Sequence, residues 1–87
     1  METKLSQRGL DWVNFSNKVL NHIEEYTVPQ YGDKGDDQCT DFIEHDFITQ
    51  LKRYLNRHGK NSREGQNRLD KIKMAHYIQM LYDLIED

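Results

Sequence analysis

Eighty-seven residues leave room for a single domain, 1–87, and a chain of this size hides only somewhat over ~60% of its unfolded surface. With 36% hydrophobic and 31% charged residues and a net charge of −3, the composition is polar, yet the apolar residues are clustered, which argues against disorder. One cysteine, Cys39, excludes an internal disulfide and a cysteine cage for zinc. No apolar run has the length of a membrane span, and the opening Met-Glu-Thr-Lys lacks the basic and apolar regions of a signal peptide. A cytoplasmic protein with no membrane association is expected.

The charge is uneven. Residues 1–46 carry four Lys/Arg against ten Asp/Glu, and residues 47–87 carry eight against five. Within 52–73, eight basic residues face two acidic ones. A local basic patch on a net-acidic chain suits one phosphate group or an acidic partner, whereas the overall field repels duplex DNA bound without sequence preference.

In chain order, Trp12, Phe15, Val19, Ile23 and Tyr26 recur at helical steps, with Val13 and Leu20 widening the stripe. They predict a first helix over Asp11–Tyr26, capped by Asp11 after Gly9 and stopped ahead of Pro29. Thr27–Gln38, with the only proline, two glycines and three aspartates, reads as a long loop. A second helix is expected over Thr40–His58, with Thr40 as cap; a fresh start at Asp46 is the alternative. Its apolar face is Ile43, Phe47, Ile48, Leu51, Tyr54 and Leu55, and Gly59 supplies the stop. A third helix is expected from near Ser62 to the C-terminus, with Asn61 and Glu64 as a capping box and Leu69, Ile72, Ala75, Ile78, Leu81, Tyr82 and Ile85 on its apolar side. The expected architecture is all-α: a small antiparallel three-helix bundle with one long loop between the first two helices. Its strongly clustered apolar residues also fit burial against a second copy.

The candidate site is the basic corner between the second and third helices. Lys52, Arg53, Arg57, Lys60, Asn61 and Arg63 gather there, and backbone amides at the start of the third helix add anion-binding capacity. Such clustering also follows from the attraction of cations to a helix C-terminus. Other constellations are weaker. Asp33, Asp37, Asp41 and Glu44 fall at positions 1, 5, 9 and 12 of a calcium loop, but Gly35 and Gln38 occupy the third and sixth positions, where a ligand and the turn glycine are needed. His22, His45, His58 and His76 form no i, i+4 pair, so neither a metal nor another cofactor is expected. Cys39 precedes the second helix without an activating base.

The run Leu51–Lys60 followed by Leu69–Tyr77 resembles a motif of small phage-encoded helical proteins. That motif reads approximately K-Y-L-x-R-x-G-K, a spacer, then D-L-x-K-A-x-x-Y. The family is sometimes labelled nucleotide-kinase-like. Arg53 stands in place of the first lysine, Lys71 of the leucine and Met74 of the alanine. The resemblance implies roles for Tyr54, Arg57, Gly59, Lys60, Asp70, Lys73 and Tyr77, with His76 beside them. The chain holds no glycine-rich phosphate loop of the G-x-x-x-x-G-K-[ST] kind.

The function expected from these features is non-enzymatic: a phage- or prophage-type binding or adaptor protein whose basic corner recognises another protein or a phosphate-bearing ligand. The enzyme alternative resembles the all-helical nucleotide pyrophosphohydrolases, which hold magnesium on clustered carboxylates. Glu24 and Glu25, Asp41 with Glu44, and Asp83 with Glu86 are the carboxylates on offer.

Overall fold

A computed structural model describes residues 4–87, and every regular element among them is helical. Helix α1 spans Gln7–His22. It begins four residues ahead of the expected start, because Ser6 is the cap: its hydroxyl accepts the Gly9 N–H at 3.1 Å. Asp11 lies inside the helix, where it accepts from the Gln7 amide at 2.9 Å.

Pro29 does not end this helix. A π-helical turn over Ile23–Thr27 leads into a short α2, Val28–Tyr31. A proline lacks the N–H that would return to residue 25, and its ring collides with that carbonyl in a regular α-helix. The wider turn, in which the Val28 N–H reaches back to the Ile23 carbonyl, lets the chain carry Pro29 onward without breaking. The stop comes at Gly32, whose φ of +97° disfavours any side chain and where an added Cβ would come within 2.9 Å of the Asp36 Cβ. The expected loop therefore shrinks to residues 32–37, followed by a 3₁₀ turn over Gln38–Asp41.

Helix α3 covers Glu44–Arg57. Thr40 belongs to the preceding turn, with its hydroxyl 3.4 Å from Asp37, and Asp46 does the capping by accepting the Ile43 N–H at 2.9 Å. The expected alternative start at Asp46 lies nearer the observed boundary than Thr40 does. Gly59, at φ +76°, follows the end as expected. Helix α4 covers Gln66–Leu84 and starts after Gly65 at φ +78°, four residues beyond the expected Ser62. Asn61 does not cap it. The α3–α4 turn is held instead by Asn67, whose side-chain oxygen accepts the Gly59 N–H at 3.1 Å.

Helix α3 packs along α4, and α1 packs on α4. The core is small. Phe47 and Tyr54 are its buried aromatics, joined through Tyr77 in a run of contacts: Phe42 to Phe47 at 5.2 Å, Phe47 to Tyr77 at 6.3 Å and Tyr77 to Tyr54 at 5.9 Å. Several residues expected in the core face outward, among them Trp12, Leu55, Ile78 and Tyr82, whose helical spacing is right but which stay exposed. Ile43 and Ile85 are also exposed, and both lie in extended backbone just outside α3 and α4, so the last helix stops at Leu84 short of the expected C-terminal end. No helix among the described residues is long and apolar enough to cross a membrane.

Candidate functional site

The contact between α1 and the α3–α4 pair leaves a cleft of about 320 Å³, within the ordinary range for small-ligand sites. Arg53, Tyr54 and Arg57 enter it from α3, one turn apart along one side of the helix. Lys73, His76, Tyr77 and Met80 line it from α4 at i, i+3, i+4 and i+7. The far wall is His22, Tyr26, Thr27 and Tyr31, supplied by α1, the π turn and α2, and Asp37 and Cys39 close one end.

Beneath the cleft lies Asp70, with no exposed surface. Arg57 grips it with two nitrogens, Nε donating to Oδ2 at 2.8 Å and a terminal nitrogen donating to Oδ1. Gln66 donates to Oδ1 at 2.7 Å, and the Asn61 amide stands 3.5 Å from Oδ2. A buried carboxylate survives only when paired and hydrogen-bonded, and this one is. The Arg57 hydrogen bonds hold the Asp70 carboxyl down to about 2 against the opposing push of burial, with smaller help from Gln66 and the charges of Arg57 and Lys73.

Arg57, expected as a solvent-facing anion ligand, is committed to Asp70, although its side chain stays 37% exposed. Its guanidinium carbon sits 4.7 Å from the centre of the Tyr54 ring, and that of Arg53 sits 5.2 Å from the same ring. Lys60 and Arg63 lie exposed in the outer turn, with Lys52 on the solvent side of α3, and none of the three lines the cleft. Asn61 serves Asp70. The start of α4 follows a left-handed Gly65, and no residue of its first turn lines the cleft.

Arg53 and Lys73 are the cleft's uncommitted cations, since Arg57–Asp70 is the ion pair found among the described residues. Lys73 Nζ stands 6.0 Å from the centre of the Tyr26 ring. Burial, then Lys73, lowers the His22 pKa; burial also lowers that of His76, with Asp37 opposing. Both imidazoles are thereby biased towards neutrality. Burial, followed by the influence of Tyr54, pushes Tyr77 up to about 12, so it stays a phenol. Burial and Asp37 raise Cys39, which makes it a poor nucleophile.

From the sequence-predicted set, the fold brings together Arg53, Tyr54, Arg57, Lys73, His76 and Tyr77, with Asp70 below them. The stretch Pro29–Gln38, singled out in the sequence for its length and for Tyr31, supplies Tyr31 and Asp37 to the wall, whereas sequence reasoning missed His22, Tyr26 and Cys39, whose approach depends on tertiary packing. Among the described residues no three His, Cys, Asp or Glu side chains converge in a way that would hold a metal ion. Glu24, Glu25, Asp41, Glu44, Asp83 and Glu86 are exposed, and none of them belongs to such a group. Comparison with known protein families, with curated proteins and with solved structures finds no match for this chain.

Proposed function

We propose that this domain is a non-enzymatic binding or adaptor module that takes a phosphate-bearing or acidic group of its partner into the tyrosine-walled cleft. The observation that carries the reading is the pair of free cations, Arg53 and Lys73, at a concave site beside the already neutralised Arg57–Asp70 pair. Arg53 offers a planar fork and Lys73 a compact point charge, and the aromatic walls lower the competition from water. Arg57 keeps its fork in place for Asp70 and presents its exposed edge to the cleft. Lys52, Lys60 and Arg63 contribute a background field that draws an anion towards this side of a net-acidic chain. The scaffold is taken as an antiparallel three-helix bundle, supported by the short turn joining α3 to α4 and by the seating of α1 on α4.

The test is a ¹⁵N-HSQC titration with inorganic phosphate, pyrophosphate and an acidic peptide, run on wild type and two double variants. R53A/K73A should weaken binding about tenfold or more, since a hydrogen bond to a charged group contributes ~1.5–3 kcal/mol. K60A/R63A should retain it within a few-fold, and both should keep the helical CD spectrum. Loss confined to K60A/R63A, or no shift around Arg53 and Lys73 with any anion, would sink the reading.

A further inference from the structure

The molecule exposes more surface than a compact monomer of its mass. Its accessible area is 7331 Å² at 10.4 kDa, whereas compact monomers of that mass expose about 5,400 Å². Its radius of gyration is 14.8 Å against about 12 Å for a compact chain of this length. The excess approaches ~1,900 Å². Even with a third of it assigned to projecting turns and chain ends, more remains than the ~800 Å² per partner of a standard interface.

Helix α1 carries part of that surface as one continuous stripe. Phe15, Val19 and His22 are half-buried on the side that meets α4. Leu10, Val13, Asn17 and Leu20 lie roughly 170° away round the helix, at ~100° per residue, and all four are exposed, Leu20 by 54%. Their spacing of three, four and three residues is that of a coiled-coil seam. The flanking positions are Gly9, Ser16, Asn14 and Asn21, so no charge borders the seam over these turns. The other exposed stripes differ: Lys52 interrupts Ile48–Leu55 on α3, and Asp83 adjoins Tyr82 near the end of the Ile78–Tyr82 stripe on α4.

We propose that α1 pairs in parallel with α1 of a second copy of this chain through Leu10, Val13, Asn17 and Leu20. Asn17 selects that occupant. A side-chain amide both donates and accepts, so two copies related by a two-fold axis satisfy one another, and one buried asparagine at such a position fixes register and a two-chain state. The uncharged flanks let two acidic N-terminal halves approach without like-charge contacts beside the seam. The seam ends where Glu24 occupies the next position.

Sedimentation velocity of the full chain should give twice the 10.4 kDa chain mass, and V13E/L20E should give a single-copy mass. Because that variant can lose its fold together with its partner, a second measurement decides independently. In a C39S background, N17C should oxidise to a disulfide-linked dimer many times faster than K18C, since parallel pairing sets identical seam residues against each other. A single-copy wild type across the dilution range, a V13E/L20E variant that stays dimeric, or equal oxidation of N17C and K18C would each overturn the proposal.

Discussion

Asp70→Ala should be the most damaging single substitution near the cleft. The carboxylate has no exposed surface and is served by Arg57, Gln66 and Asn61. Removing it strands the Arg57 fork and the Gln66 amide. Breaking a fully buried pair costs ~3–5 kcal/mol, but water reaches the 37% exposed Arg57 and screens part of that. The titration behaviour gives a second measure. A carboxyl held at about 2 rather than 3.8 represents on the order of 2 kcal/mol at ~1.4 kcal/mol per pH unit. The two arguments converge on ~2–3 kcal/mol, which for a domain of this size lowers Tm by roughly 10–20 °C.

The acid limb follows from the sign of the same shift. A carboxyl with a depressed folded-state pKa gives stability that is fully present above about pH 4 and is lost as pH falls towards 2. Urea midpoints measured by CD between pH 2 and 7 should therefore fall on that limb for wild type. Asp70→Asn, which cannot ionise, should lack this component while remaining weaker than wild type at pH 7. An Asp70→Ala variant melting within two or three degrees of wild type, or an Asp70→Asn variant with an unchanged acid limb, would refute the reasoning.

Burial lowers the His76 pKa, so its contribution should be complete above the ordinary histidine value near 6.5 and be lost as pH falls through the depressed value. Denaturation midpoints of His76→Gln should rise less than wild type between pH 5 and 7; parallel curves would show that the imidazole is not desolvated. Gly65 opens α4 at φ +78°, and no atom would crowd a Cβ added there, so Gly65→Ala should cost about 1 kcal/mol from backbone strain alone. Gly65→Asn should recover part of it in a thermal melt, and equal stability of the Ala variant would place the α4 start elsewhere.

The helices are legible in the sequence because their apolar spacing is strong, and Gly59 marks the end of α3 correctly. The boundaries that differ do so for local reasons. Ser6 caps α1 through the Gly9 amide, a bond that Gly9, read as a breaker, conceals. Pro29 would stop an ordinary α-helix, and only the π turn before it lets the chain continue. At the site, Lys73, His76 and Tyr77 share one side of a helix and can be grouped from spacing, as can Arg53 with Arg57. That His22, Tyr26 and Tyr31 face them depends on tertiary approach, which spacing does not encode.

The same limit explains the division of the basic residues. Arg57 and Asp70 are thirteen positions apart within a stretch rich in charge, and nothing in their neighbours distinguishes a buried ion pair from two solvated ions. Once the pair is seen, the positive charge of the corner separates by what each group faces. Arg57 holds a buried carboxylate, and its removal would damage folding while also stripping a charge from the cleft. Arg53 and Lys73 face the cleft without an ion-pair partner among the described residues, and Lys60 and Arg63 face water. A charge-removal experiment that includes Arg57 therefore confounds stability with recognition, whereas one confined to Arg53 and Lys73 separates them. The chemistry of this face is set by which cations the fold leaves unpaired, more than by how many it carries.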